Sequence, residues 1–121
     1  MSTKAYIGIE LESGIVEYIY CHWDGMKSGV GLILDNHYTD RAKVQELIDL
    51  GDISCLGPEV KPKEDWHSFD KREPGVTVAY IRDRGESVNG NAKKVARSRL
   101  SFLDKGDIPY RYLFTLENEW I

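Results

Sequence analysis

The strongest constraint on this chain lies in its first 22 residues. From Lys4 to Leu11 apolar and polar positions alternate, with Ile7, Ile9 and Leu11 on one side and Tyr6, Gly8 and Glu10 on the other. A period of two is the signature of a half-buried strand. Ile15 to His22 is again rich in β-branched and aromatic residues, and only Glu12-Ser13-Gly14 separates the two runs. A short polar connection carrying Gly between two such runs predicts a β-hairpin.

The remainder is read outward from that hairpin. Asp24-Gly25 ends the second strand. Ser28 is expected to cap a short helix with Val30, Ile33, Leu34 and His37 on one face, weakened near its start by Gly29 and Gly31. Thr39-Asp40 caps a clearer helix in which Val44, Leu47 and Ile48 fall at helical spacing, and Gly51 follows its end. Gly57 to Gly75 holds three prolines, many charges and few apolar residues, which predicts a long loop pinned by Trp66 and Phe69. A third strand is expected over 76–81, a polar loop over 82–90, a basic helix over about 91–103, and a fourth strand over 110–116. The order β-β-α-α-β-α-β, opened by a hairpin, predicts an α+β fold: an antiparallel sheet of four or more strands with helices on one face. At 121 residues, the chain is expected to form one domain spanning 1–121.

Composition excludes several classes. No stretch approaches the 18–20 apolar residues of a membrane helix, and Met1-Ser2-Thr3-Lys4 runs directly into the first strand pattern without the features of a signal peptide. Neither a membrane partner nor secretion is expected. Cys21 and Cys55 are the two cysteines. Without partners at ligand spacing, they read as reduced thiols of a reducing compartment. The net charge is −4, which argues against a long nucleic-acid partner. The charge is uneven, however. Between Arg82 and Arg99 six basic residues stand against two acidic ones, a +4 window that leaves −8 on the rest. A basic island in an acidic chain suits a small anionic ligand.

Three segments are candidates for the site. In Cys21-His22-Trp23-Asp24-Gly25, strand alternation places His22 and Asp24 on one face. That pair can orient an imidazole for acid–base work, or simply form the turn. Trp23 is a core or pocket wall, or a surface on which a base stacks. In Arg82-Asp83-Arg84-Gly85-Glu86, continuation of the strand places Arg82 and Arg84 on one face, able to grip a phosphate with two guanidinium groups. The alternative is a solvated ladder of ion pairs. In Asn89-Gly90-Asn91 and the basic run after it, a helix beginning near Asn91 offers free backbone N–H groups to an anion, with Lys93, Lys94 and Arg97 adding charge. The alternative is an exposed basic helix face. Tyr80 and the other tyrosines supply flat, polar-tipped surfaces suited to a purine. The expected ligand-binding set is therefore His22, Trp23, Asp24, Tyr80, Arg82, Arg84, Asn91, Lys94 and Arg97. Were the protein an enzyme, His22, Asp24 and Arg82 would be its catalytic group. His22, Asp24, His37, Asp83, Glu86 and Glu10 are the conceivable metal ligands, but no HxH, HxxxH or HExxH spacing occurs. Neither a metal nor a cofactor is expected, and P-loop, GxGxxG and GxSxG motifs are absent.

Tyr20-Cys21-His22-Trp23-Asp24-Gly25, Gly29-Val30-Gly31, His37-Tyr38, Leu50-Gly51-Asp52-Ile53-Ser54 and Thr77-Val78-Ala79-Tyr80-Ile81-Arg82-Asp83-Arg84-Gly85-Glu86 together resemble a family of short phage and prophage proteins. That family pairs a YCHWDG…VG…HY half with a TVAYxRDRGE segment and an aromatic tail like Tyr112-Leu113-Phe114…Trp120. The chain departs from the pattern at Met26-Lys27, and at Ile81, where the family carries a His that would be a further catalytic or metal-binding candidate. The resemblance implies a phage setting, and therefore the cytoplasm of an infected bacterium. Small phage proteins of this kind often counter host defence. With the charged and aromatic segments above, the expectation is a small, homo-oligomeric sponge that sequesters an anionic nucleotide immune signal, of the cyclic dinucleotide or cyclic ADP-ribose type. The alternatives are a phosphodiesterase that cleaves such a signal and a direct inhibitor of a host enzyme anchored by Trp66 and Phe69.

Overall fold

The computed structural model describes residues 2–121. Strands β1 (Ala5–Glu10) and β2 (Val16–Cys21) form the expected hairpin, in register from Ala5↔Cys21 to Glu10↔Val16. The connection closes through Gly14 N–H to Leu11 C=O at 2.8 Å and Leu11 N–H to Ile15 C=O at 2.9 Å. After β2 come a π-helical turn (Lys27–Gly31), α1 (Leu32–His37) and α2 (Arg41–Asp49). Then follow β3 (Ile53–Cys55), β4 (Val78–Ala79), α3 (Tyr80–Arg84), β5 (Lys94–Ala96), α4 (Arg99–Leu103) and β6 (Tyr110–Phe114).

The fold is α+β, with one six-stranded sheet. Its order is β4-β3-β2-β1-β6, and β5 lies along the first half of β2. The sheet is mixed where an antiparallel one was expected: β6 runs parallel to β1 and β3 parallel to β2. The α1–α2 pair makes the long crossover that returns the chain to β3 in the same direction as β2, the connection a parallel pair requires. β5 and β3 therefore share one edge of β2. Between their registers the Tyr20 N–H has no strand partner and donates instead to Asp52 Oδ1 at 2.9 Å, which satisfies a backbone donor that would otherwise be orphaned.

Alternation sorts the side chains onto two faces. Ala5, Ile7, Ile9, Ile19, Cys21, Ile53 and Phe114 form the main core with Val30 and Leu34 from the first helical segment and Val44, Leu47 and Ile48 from α2. On the opposite face Val16, Tyr18, Ala96 and Leu113 pack on Phe102 of α4. The helices thus cover both faces, not one, because α4 carries its own apolar anchor. No helix among the described residues is long and apolar enough to cross a membrane.

Three local expectations are corrected. The strand expected over 76–81 stops at Ala79, and the chain turns into α3. The Asp83 carboxylate reaches back to the Ala79 N–H at 2.8 Å, much as an acidic side chain does in a capping box. Gly85 (φ 72°) ends the helix, with Gly85 N–H on Ile81 C=O and Glu86 N–H on Tyr80 C=O, the six-to-one closure of a Schellman turn. The helix expected over 91–103 is split. Lys94–Ala96 pairs with Val16–Tyr18 as β5, and α4 begins only after Ser98, whose hydroxyl accepts the Ser101 N–H at 3.1 Å. Finally, Ser28 caps nothing: Met26 holds the position before the π-turn.

Candidate functional site

The charged residues of the basic window are placed by the fold in very different ways. Arg82 is bound on all sides. Its Nε and Nη2 donate to Asp83 at 2.8 and 2.9 Å, Nη2 also to Thr77 C=O at 2.7 Å, and Nη1 to Val60 C=O at 2.6 Å. Asp83, 3% exposed, receives Arg82 and the Ala79 N–H. Burial alone would raise its pKa, but the hydrogen bonds from Arg82 and Ala79 and the charge of Arg82 hold it below the ordinary carboxylate value. The pair is a clasp. It ties α3 to the loop at Val60, and beside it the side chain of His67 is fully buried, with Nδ1 accepting the Glu73 N–H at 3.0 Å and Nε2 lying 3.2 Å from Asp83. The α3 helix also separates the directions of Arg82 and Arg84, so the two do not share a strand face.

Lys94 and Asn91 are likewise absorbed. Lys94 Nζ lies 3.0 Å from both oxygens of Asp52, itself buried. Asn91 Nδ2 donates to Ser87 C=O, and its own C=O accepts the Asp52 N–H. No helix begins at Asn91, so the expected row of free N–H groups is absent there. Lys93 bonds Glu17 and Asp49. Arg97 is exposed just after β5 and does not line the cleft at Arg84.

Arg84 is different. It is 50% exposed, is held by Glu86 at 3.0 Å, and lies with its guanidinium 4.8 Å from the centre of the Phe69 ring. A second guanidinium, that of Arg72, lies 4.8 Å from the same ring, fixed by its Nε to Phe69 C=O at 2.9 Å. Phe69 in turn stacks on Tyr80 at 5.9 Å, and its N–H donates to Asp83 C=O at 2.9 Å. One aromatic ring thus organises two cations. Ser68, Phe69, Asp70, Asp83 and Arg84 line a cleft of about 430 Å³ beside it. Sequence reasoning had Phe69 as a loop anchor but missed Arg72, Ser68 and Asp70. The signal was the dense mixture of aromatic and charged residues in 65–72, within a loop otherwise lacking structure. Trp66, expected to pin the loop, is 41% exposed with Lys71 over its ring; the pins are His67 and Phe69.

The His22 segment follows the end of β2. His22 Nδ1 is 2.7 Å from the Tyr20 hydroxyl, and its ring meets Trp23 edge-on at 4.8 Å. Asp24 adopts φ 58°, which ends the strand alternation, and its carboxylate makes no hydrogen bond to His22. Tyr20, not Asp24, orients the imidazole, so the expected His–Asp pair does not form. Trp23 and Asp24 instead line a second cavity, described below. Cys21 is buried and its thiol is pushed up to about 12 by that burial; Cys55 is also raised by burial. Both cysteines are free. Among the described residues no three His, Cys, Asp or Glu side chains converge in a metal-ligand geometry.

Compared with family models, curated protein sequences and solved structures, the chain matches none.

Proposed function

We propose that this chain is a binding module for a small anionic nucleotide, with Arg72 and Arg84 on phosphate and the aromatic surface around Tyr80 against the base. The observation that carries this reading is the pair of exposed guanidinium groups, each 4.8 Å from Phe69, beside a polar cleft of about 430 Å³. Two planar cations held by one ring are ordered before a ligand arrives, which lowers the entropic cost of gripping a phosphate. Tyr80 is half-buried, stacks on Phe69 and lies under the Arg84 guanidinium at 5.9 Å, so a flat, polar-tipped surface adjoins the cations. In the phage setting that the sequence motifs imply, such a module acts in the infected cell as a sponge for a nucleotide immune signal. Binding without turnover is favoured over cleavage because His22 lacks the carboxylate partner that an acid–base role would use.

The test is thermal unfolding against cyclic dinucleotides, cyclic ADP-ribose isomers and simple nucleotides, followed by recovery of the ligand. A thousandfold excess over Kd adds about 4 kcal/mol, so a true ligand raises Tm clearly and is recovered intact. Arg72→Ala/Arg84→Ala is expected to lower affinity at least a hundredfold while the free protein stays folded, its Tm reduced by several degrees through the lost surface contacts. Absence of any shift across the panel, or full affinity in the double variant, overturns the proposal.

A further inference from the structure

A cavity of about 300 Å³ opens where β2 and β3 end side by side, between the Trp23-Asp24 turn and the first helical segment. It is lined by Trp23, Asp24, Met26, Ser28, Gly29, Val30, Ile33 and Leu56. Most of this lining is apolar. The exceptions are the Ser28 hydroxyl, local backbone and one formal charge, the Asp24 carboxylate. That carboxylate is exposed to solvent; among the described residues it makes no hydrogen bond or ion pair, and it does not cap the helical turn that follows. Trp23 is 42% exposed, an unusual position for an indole with no role in the core.

The fold makes limited demands here. It requires a residue that tolerates φ 58° at position 24, since the Asp24 C=O must accept the Val30 N–H at 2.8 Å. It requires Gly29, because a Cβ there would meet the Asp24 C=O at 2.3 Å. Asn or Gly would serve position 24 as well as Asp does. Nothing in the packing uses the negative charge, and nothing uses the exposed face of the indole. Lys27, the nearest lysine in sequence, lines a different cavity with Tyr112 and Trp120.

We propose that this cavity binds an organic cation, an alkylammonium head carried on an aliphatic stem. A carboxylate is an acceptor only and takes the ammonium donors; the indole face attracts the same charge through its quadrupole; Met26, Ile33 and Leu56 bury the methylenes. The site is separate from the Arg72–Arg84 cleft and does not depend on the nucleotide reading. Two sources carry this chemistry, a free polyamine and a lysine side chain on another protein.

The experiment is a set of ¹H–¹⁵N titrations at fixed ionic strength with n-butylamine, n-butanol, spermidine and N-acetyl-lysine-methylamide, with KCl as control. Butylammonium is expected to move the Trp23 indole and the Gly29 and Val30 amides saturably, at least tenfold more tightly than butanol. Asp24→Asn, which keeps the turn, is expected to weaken it at least tenfold. Saturation by spermidine but not the lysine derivative identifies a free polyamine, and the reverse identifies a protein lysine. Equal responses to amine and alcohol, shifts no larger than those with KCl, or undiminished affinity in Asp24→Asn overturn the proposal.

Discussion

Arg82→Ala and Arg84→Ala differ by two positions in one short helix, yet their effects should differ severalfold. Removing Arg82 takes away four hydrogen bonds and leaves Asp83 as a buried carboxylate facing only the Ala79 N–H and His67 Nε2. Breaking a buried ion pair from one side costs about 3–5 kcal/mol. The Arg82 side chain is one-quarter exposed, which places the cost near the lower end of that range. The carbonyls of Val60 and Thr77 lie in buried residues, and leaving each without its donor adds up to about 1 kcal/mol where water does not enter. The expected total is about 3–5 kcal/mol. Arg84 has a half-exposed partner and a ring contact. An exposed pair contributes about 0–1 kcal/mol and an exposed cation–π contact about 0.5–1, so its loss should cost about 1 kcal/mol. With a urea m-value of about 2 kcal/mol/M, the midpoint should fall by about 1.5–2.5 M for Arg82→Ala and by about 0.5 M for Arg84→Ala. Circular dichroism in urea measures both. Hydrogen exchange should further show the amides of Phe69 and Glu73 losing protection in Arg82→Ala alone. Midpoints of the two variants within 0.5 M of each other would refute the assignment of Arg82 to the clasp and Arg84 to the surface.

Acid should destabilise the protein through Glu10 and Asp83. The Glu10 pKa is lowered first by its hydrogen bond from Arg99, and Asp83 is lowered as described. A depressed carboxylate contributes its stability above the unfolded value of about 4 and loses it as pH falls through the folded value. Stability should therefore hold from pH 7 to about 5 and drop below about 4, and Glu10→Gln should be less stable at pH 7 with a shallower acid loss in urea midpoints taken at pH 3 and 7. Gly29→Ala should lose about 1–3 kcal/mol in thermal unfolding, since the added Cβ meets backbone at 2.3 Å. Cys21, with its thiol near 12 and no exposed surface, should resist Ellman's reagent at pH 8 until the protein is unfolded; immediate reaction of two thiols in the native protein would contradict its burial.

The hairpin and α2 were legible because their signals are local. Alternation from Lys4 to His22 sets both strands, and Val44, Leu47 and Ile48 set the buried face of α2. The elements that were misread depend on partners far along the chain. Lys93 to Arg99 looks helical by charge spacing, but Lys94–Ala96 is a strand because β2 offers an edge there, seventy-six residues away from Lys94 at Tyr18. The strand pattern of Val76–Ile81 is interrupted by two residues whose local meaning was underrated: Asp83, whose carboxylate reaches back to Ala79, and Gly85, which supplies the left-handed closure. The aromatic and charged mixture of 65–72 marked the neighbourhood of Arg72 but not its role; Phe69, three residues earlier, is placed against Tyr80 by the returning loop, and only then do two arginines meet on one ring.

The motif residues divide by whether the fold uses their chemistry. In the 82–86 run Arg82 and Asp83 neutralise each other in a nearly dry setting and hold down a loop that has little apolar content of its own. Such a pair adds modest net stability but is costly to break from one side, so both members are constrained together without touching any ligand. Gly85 is constrained by backbone alone. Arg84 escapes each of these constraints; the Phe69 ring and the half-exposed Glu86 orient its guanidinium without burying it. The same division runs through 22–29. Gly29 is fixed by the tight approach of the Asp24 carbonyl, and His22 by the Tyr20 hydroxyl. Trp23 and Asp24 carry an exposed indole and an unpaired carboxylate that the turn does not require. A side chain that costs the fold little to replace, yet lines or borders a cleft or a cavity, is where binding chemistry has room to act. By that criterion Arg84 with Arg72, and Trp23 with Asp24, are the two places on this molecule to test with ligands, and Arg82 is the place to test with denaturant.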